Sequence, residues 1–534
     1  MSVANTKRIG RSSGIAFAPA WLFAGAGVYL LLLIRGDSLL NDPDMFWQIK
    51  IGQWIVANHA VPFTDIYSFT RAGEPWISSS WLSQVLFAQA FNLGGWAGVV
   101  ILTAFATAAA FALLAHVLCR FLPPLQAGVV VCVVLVLAMP HLLARPHVLA
   151  MPVMIAWASG LVSASGRGKV PSLSLLPVMI LWTNLHGGFV FGLALIGAFA
   201  LDALWNADAA HRTRVALGWA LFAAAALGVS CLTPYGWGSL LAARNILGLG
   251  EALSLIVEWQ PVDFSRVGAF EVCLLGLLGL ALYRGVRLSP PRVLLTVGLL
   301  QMAMAHNRSV EIFAFLLPLV VAEPLSAQFA ALRNGSIARL PLPTLRLAVV
   351  ALGLGGFTAA YTASHSYVPL AGKSLTGAVQ ALKDHGARRV LNDYFFGGSL
   401  IAADVPVFID GRTELYGERF VLAHHHAIQL QDVGKFMSLL DSYRIDATLL
   451  NPASPAVHLL DRLDGWRRVY GDGEAVVHMR LANTAPQIRL RWIEMKSRQV
   501  VIQRGAIDSG APGNRASALM VSCLERWSRC RFVA

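Results

Sequence analysis

Apolar residues in this chain run in blocks of about 17–25, the length needed to cross roughly 30 Å of hydrocarbon, and short polar clusters close most of them. About eleven membrane spans are predicted, near 15–34, 95–119, 125–143, 147–165, 171–185, 188–205, 215–232, 267–283, 291–305, 309–325 and 346–363. Lys7, Arg8 and Arg11 precede the first block, but that block is long and has no convincing cleavage site, so it is expected to be an uncleaved anchor.

Past about residue 364 the periodicity changes. SLTGAVQALKDHG reads as an amphipathic helix stopped by Gly386, RRVLND as a short strand and GGSLIAAD as a helix. PVFIDGR reads as a buried strand, GERFVLAHHHAIQLQD and KFMSLLDSY as helices, DATLL as a strand and AVHLLDRL as a helix. WRRVYGDGEAVVHM reads as a hairpin turning at Asp472-Gly473. Alternation of strand and helix predicts an α/β domain with a mostly parallel sheet.

The predicted fold class is thus an α-helical polytopic membrane protein with a C-terminal extracytoplasmic α/β domain. Residues 1–14 form a cytoplasmic N-terminus, 15–363 the transmembrane bundle with a functional first outer loop at 35–80, 364–485 the α/β domain, and 486–534 a basic, poorly ordered tail.

Composition agrees with a membrane protein. Of 534 residues 56% are hydrophobic and 13% charged, against about 25% charged in soluble domains. The net charge of +13 has no aromatic-interleaved basic stripe with it, so no nucleic-acid partner is expected. Nine Arg and Lys against three acids from Arg489 onward supply nearly half of that excess. With a cytoplasmic N-terminus, the inner connections carry Arg120, Arg167, Lys169, Arg212, Arg214, Arg284, Arg287, Arg292, Arg333, Arg339 and Arg346. The outer connections are poorer in cations, as the positive-inside rule requires, and an odd span number puts the C-terminal domain outside. The six cysteines show no metal spacing, and Cys523 and Cys530 lie in the tail.

The outer connections concentrate the chemistry. In the first, Asp42 and Asp44 bracket Pro43 ahead of MFWQIKIGQWI, a predicted surface helix with Trp47 and Trp54 at the membrane interface. Asp42 would cap it and Asp44 sit in its first turn. Asp65 follows in a PFTD turn. Further clusters are HLLARPH (His141, Arg145, His147), TNLHGG (Asn184, His186), TPYGWG with EWQPVDF (Tyr235, Glu258, Asp263) and AHNRSVE (His306, Asn307, Arg308, Glu311). Any one reads as a helix cap or a snorkelling cation; their recurrence on one side implies a shared aqueous cavity. NDYFFGG and FIDGRTELYG place Asp393, Asp410, Arg412 and Glu414 at strand ends, as ligands or as salt bridges. His424 to His426 face different directions on a helix and are not expected to ligate one ion.

The ordered series NDPDMFWQIKIGQWI, VPFTDIYSFT, EPWISSSWLSQVLF, LARPH, LWTNLHGGFVFGL, TPYGW, EWQPVDF, NDYFFGGSLI and VFIDGRTELYG resembles a large group of bacterial polytopic proteins, glycosyltransferases of the GT-C type, from about Asn41 to Arg480. It is more distantly similar to protein mannosyltransferases and lipid A aminoarabinose transferases, with Asp-Pro-Asp where the former carry Asp-Glu.

The resemblance implies a multi-pass protein of the bacterial inner membrane, with a periplasmic or extracellular C-terminal domain. Its activity would be transfer of sugar from a polyprenyl-phosphate donor to a glycan, lipid or protein acceptor of the cell envelope. Asp44 matches the family's acidic position as general base, with Asp42 competing. Arg145, His147, His186 and Arg308 are the candidates to hold phosphate, and Glu258 and Asp65 further substrate-binding acids. No Walker loop or GxGxxG follows a strand, which favours a lipid-linked donor. The one cofactor left open is a divalent metal, Mg or Mn, held by Asp44 and Glu258. A polysaccharide polymerase or ligase, a transporter and a non-catalytic envelope assembly protein are the alternatives.

Overall fold

The computed structural model describes residues 20–329 and 344–481. The expected cytoplasmic N-terminus and basic tail, with Cys523 and Cys530, lie outside the described residues.

The membrane part comprises α1 (Ala20–Ile34), the single turn α2 (Gly36–Leu39), α3 (Asp44–Asn58), α4 (Trp81–Leu118), α5 (Pro124–Ala138), α6 (Pro146–Gly166) and α7 (Leu176–Leu185). It continues with α8 (Phe189–Asn206), α9 (Arg212–Val229), α10 (Gly238–Leu247), α11 (Ala269–Arg284), α12 (Pro290–Ala305), α13 (Ser309–Gln328) and α14 (Thr344–Ser364). Each expected span coincides with a helix. Among the described residues, seven helices are long and apolar enough to cross a bilayer by themselves, and α1 and α7 lie in shorter apolar segments.

Local chemistry sets the ends. Proline starts α5, α6 and α12, where its missing N–H costs nothing and its fixed φ suits the first turn. Gly285, at φ +61, ends α11 in the left-handed conformation. α4 breaks at Gly94–Gly95, with φ of −143 and +56, where the second span was expected to begin. Aromatic pairs fill the bundle interior: Trp157 stacks on Phe222 at 5.7 Å, and Phe111 meets Phe315 at 5.0 Å. Leu275, Leu278 and Leu282 of α11 and Val129, Val133 and Val136 of α5 stay exposed, as lipid-facing positions do.

The C-terminal part contains α15 (Leu370–Asp384), β1 (Val390–Asn392), α16 (Gly397–Ala402), α17 (Thr413–Tyr416), α18 (Glu418–Ile428) and α19 (Val433–Ser442). It ends with β2 (Ala447–Leu450), α20 (Pro455–Leu460), β3 (Trp466–Gly471) and β4 (Val476–Arg480). The expected α/β domain and its final hairpin are present, but the sheet is mixed. Its order is β1-β2-β4-β3, with β1 and β2 parallel and the other two pairs antiparallel.

PVFIDGR forms isolated bridges instead of the expected strand. Buried Asn392 supplies the missing pairing: its Oδ1 accepts from the Phe408 N–H at 2.8 Å and its Nδ2 donates to the Ile409 carbonyl at 2.7 Å. Tyr67 and Phe69 take the opposite edge through the backbone of Val407.

That pairing joins the C-terminal domain to the first loop and changes the reading of α3. α3 packs against protein on two sides. It is wedged between α4 and α16, with Gly52 allowing its backbone onto the Gln84 carbonyl. Trp47 and Trp76 are buried in the core of the C-terminal domain, beside Val407, Phe408 and Ile409, and Trp54 packs against that core. The domain takes the apolar face that the sequence assigned to lipid.

At the centre lies Arg412, with Asp65 and Asp410 on either side and all three side chains fully buried. Its Nη1 donates to Asp65 at 2.6 Å, its Nε and Nη2 to Asp410 at 2.8 and 2.7 Å, and Tyr416 Oη donates to Asp410 at 2.7 Å. The Trp76 ring covers the guanidinium at 5.0 Å. Removing one member of such a buried set leaves an uncompensated charge, at a cost of about 3–5 kcal/mol. Arg412→Met is therefore expected to lower the melting temperature of the detergent-solubilised chain sharply, measured by tryptophan fluorescence, and more than Arg412→Met combined with Asp65→Leu and Asp410→Leu.

Candidate active site

The three helix breaks α5–α6, α7–α8 and α12–α13 lie at one end of the bundle, the end that carries the C-terminal domain. They bring HLLARPH, LHGG and HNRS together. Arg145 is extended, as a residue before proline prefers, and the Ala144 N–H donates to the Leu39 carbonyl at 2.8 Å. The loop after α10 runs along the α12–α13 break: Arg308 N–H donates to Glu258 and Asn307 N–H to Gln260, each at 2.9 Å. These backbone bonds fix Glu258 and Arg308 next to each other.

Two cavities open here and share Arg145, Glu258 and Arg308. The first, of about 210 Å³, lies between the bundle and the C-terminal domain, walled by Asp44, Trp259, Tyr394, Phe395, Gly411 and Thr413. The second, of about 310 Å³, runs among the helices. His141, His147, His186 and Glu311 form its polar end, and Met151, Met154, Phe191 and Ile312 its apolar wall.

Asp42 caps α3, its Oδ1 accepting from the Asp44 N–H at 3.0 Å. It is buried and paired with Arg145, so no free lone pair faces substrate. Asp44, the first residue of α3 and so at its dipole end, keeps about a third of its side chain open to the first cavity. Trp47 Nε1 donates to Asp44 Oδ1 at 3.0 Å. Gly411 backs the same carboxylate so closely that an added methyl group would overlap it, and Gly398 likewise admits the Pro43 carbonyl. Burial, and then the charge of Asp42, push the Asp44 carboxyl up to about 7 against the pull of Arg145.

The cations differ from one another. Arg145 bonds Asp42 through Nε and Nη2 and Glu258 through Nη1, so its fork is engaged. Burial would raise Glu258, but Arg145 outweighs it and holds that carboxyl below its ordinary value. Arg308 makes no ion pair and no side-chain hydrogen bond among the described residues; its guanidinium lies 4.7 Å from the Trp259 ring centroid. Burial lowers its pKa, the mark of a desolvated charge with too little compensation. His147 lies 3.5 Å from Glu311 and edge-on to His186.

Asp65 lines neither cavity: it is the partner of Arg412, and the expectation that it binds substrate gives way to a structural role. Asp410 and Arg412 resolve in the same way, as a salt bridge. Tyr235 donates to the Pro62 carbonyl at 2.8 Å and Asp263 caps Ser265; both are absent from the cavity walls. His424 Nε2 donates within the domain core to the Asn392 carbonyl at 2.9 Å.

A divalent metal does not fit. No group of three His, Cys, Asp or Glu among the described residues is arranged to hold one, and Asp44 and Glu258 face the Arg145 guanidinium. Sequence reasoning missed Trp259 as the platform of Arg308, and Tyr394, Phe395, Gly411 and Thr413 as cavity wall. The glycines of NDYFFGG and FIDGR were the available signal.

No protein-family model matches the chain, and no curated protein matches it in sequence. Solved structures do match. The archaeal oligosaccharyltransferase AglB from Archaeoglobus fulgidus, in complex with an inhibitory peptide and a dolichol-phosphate, superposes at TM-score 0.54 and 13% identity, over 81% of this chain and 69% of that one. The apo oligosaccharyltransferase of the same organism gives 0.53 and 13%, over 88% and 75%. ArnT from Cupriavidus metallidurans in the apo state gives 0.45 and 15%, over 88% and 99%. The chain thus shares its fold with the archaeal oligosaccharyltransferase structures.

His186 offers a direct check of this geometry. Burial pushes its pKa down to about 3, and the Gly188 N–H donates to its Nδ1 at 3.0 Å, which puts the ring proton on Nε2. Nitrogen-15 NMR of histidine-labelled protein is expected to show this ring as the neutral Nε2–H tautomer, unchanged from pH 8 down to pH 5, while exposed histidines titrate near their ordinary value.

Proposed function

We propose that the chain is a membrane glycosyltransferase that moves a sugar from a polyprenyl-phosphate donor to an acceptor hydroxyl, in the bacterial inner membrane and on its outer face. The observation that carries this reading is the pairing of two groups across joined cavities: Asp44, a carboxylate open to one cavity, and Arg308, a half-buried cation that makes no direct ion pair among the described residues, lining both. The AglB structure holds a dolichol-phosphate and a peptide on the same fold, which supports a lipid-phosphate donor and a separate acceptor.

The second cavity has the form of a donor site. Its apolar wall suits an isoprenoid tail, and its polar end places Arg308 and the neutral His186 for a phosphate. The first cavity, closed on one side by Tyr394 and Phe395, suits the acceptor, a glycan, lipid or protein of the cell envelope. Asp44 then removes the proton of the acceptor hydroxyl as its oxygen attacks the anomeric carbon. The bond from that carbon to the phosphate oxygen breaks on the opposite face, and the configuration inverts. Arg308 takes the charge that develops on the departing lipid phosphate.

A base raised to about 7 is still strong enough to accept a proton and is largely ionised just above neutrality. The protonated form is inactive, so transfer is expected to rise tenfold per pH unit below about pH 7 and level off above it. Asp44→Asn is expected to lower transfer roughly 10²–10⁴-fold and abolish that profile. The assay is transfer from a polyprenyl-phosphate sugar in membranes expressing each variant, and undiminished transfer by Asp44→Asn would overturn the role.

Arg308→Ala is expected to lower kcat roughly 10²–10³-fold, the usual loss for one transition-state charge contact. Arg308→Lys should recover only part of it, because an ammonium lacks the bidentate fork. Steady-state kinetics on purified protein in nanodiscs would check both.

A further inference from the structure

Asp42 and Asp44 come from the first loop, Glu258 from a segment distant in the chain, and all three face one position. Three carboxylates from two distant segments call for a cation between them, although no group of three His, Cys, Asp or Glu among the described residues has the spacing of a metal site. The position belongs instead to the guanidinium of Arg145. Its Nε and Nη2 reach Asp42, the latter at 3.0 Å from Oδ1, its Nη1 reaches Glu258, and its Nη2 lies 3.9 Å from Asp44.

Arg145 is not free to swing away. Pro146 restricts its backbone, the Ala144 N–H is tied to the Leu39 carbonyl of the Asp42 loop, and departure would leave Asp42 fully buried without a counter-charge. A guanidinium also differs from a metal in what it leaves behind. It brings one positive charge to three acids where Mg or Mn brings two, so the cluster keeps more negative charge than it would around a metal, and the carboxylate least served by the guanidinium stays able to take a proton. Asp44, the one farthest from the guanidinium, is that carboxylate. A metal-bound carboxylate would be a poor base; one beside a shared guanidinium is not.

We propose that Arg145 is the resident cation of this site, holding Asp42 and Glu258 in the place a divalent metal would take, so that the chain binds no Mg or Mn there and its chemistry proceeds without one. Its bearing on transfer rests on the glycosyltransferase reading; the binding statement does not. The same geometry gives a converse: once the Arg145 side chain is removed, Asp42 and Glu258 lose their shared counter-charge, and a divalent cation from solvent can take its place.

The test uses Mn²⁺ as probe on the purified full-length chain, with free ion followed by electron paramagnetic resonance. The wild-type chain is expected to show no stoichiometric site at micromolar Mn²⁺. Arg145→Ala is expected to gain one site per chain, lost again in Arg145→Ala/Glu258→Gln. Melting curves show whether Arg145→Ala is folded, and the wild-type measurement needs no variant. A wild-type chain that binds one Mn²⁺ and loses it on Glu258→Gln overturns the proposal, as does a folded Arg145→Ala chain that binds none. In the transfer assay the wild type is expected to keep its full rate in EDTA, and a rate lost in EDTA and restored by Mn²⁺ or Mg²⁺ also overturns it. Absence of transfer under every condition would count against the glycosyltransferase reading and leave the binding result standing.

Discussion

The ion pairs of Arg145 set the character of every other group at this end of the bundle. One guanidinium ties the loop ahead of α3, the start of α6 and the segment after α10 into a single cluster through Asp42 and Glu258. A planar fork can serve two carboxylates at once only if both are held in place, and the backbone bonds of Ala144 and Arg308 hold them. Because that cation is spent on Asp42 and Glu258, Asp44 keeps its basicity. For the same reason Arg308, behind Glu258, has the Trp259 face as its neighbour in place of a carboxylate. One clamp thus separates a base from a cation across two cavities that would otherwise neutralise each other.

The clamp works because a second buried cluster fixes the loop that carries it. Arg412 joins Asp65 of the first loop to Asp410 of the C-terminal domain, and Gly398 and Gly411 let that domain approach α3 at backbone distance. The result is a wall of Gly411, Thr413, Tyr394 and Phe395 across from Glu258. The C-terminal domain is therefore part of the cavity and the source of much of the burial that raises Asp44. Losing its contacts would expose the carboxylate and return it toward the ordinary acid range.

Much of the bundle was legible in the sequence, because lipid imposes a length and a polarity that a linear pattern reports directly. The span ends follow polar clusters, and the Gly94–Gly95 break falls where the second span was expected to begin. Asp42 as cap and Asp44 in the first turn also follow from local spacing. What failed depended on contacts between distant segments. Trp47 belongs to a protein core, because the covering domain begins more than three hundred residues later. PVFIDGR has the composition of a strand, yet a single side chain, Asn392, satisfies its backbone. Asp65 looked like a site residue by type, but its partner Arg412 gives it a structural place, and Arg145 lines both cavities with its fork already engaged by Asp42 and Glu258; partners are not written in a local pattern.

The opposite end of the bundle shows why partner satisfaction, more than residue type, separates a site from a brace. Arg292 is buried between Asp202 and Glu323, at 2.9 and 3.1 Å, and its third nitrogen donates to the Val320 carbonyl at 3.1 Å. Asp202 in turn accepts from Ser289 and Ser165. Every strong donor and acceptor there is met, so the cluster binds α6, α8, α12 and α13 together and has no valence left for a ligand. Arg308, at the other end of α13, is half-buried, and its side chain makes no ion pair or hydrogen bond among the described residues, only the contact with the Trp259 face. A cation–π contact offsets a modest part of the cost of desolvating a guanidinium. The remainder is what an incoming phosphate would relieve under the proposed function, and the Arg292 cluster has no such imbalance to offer.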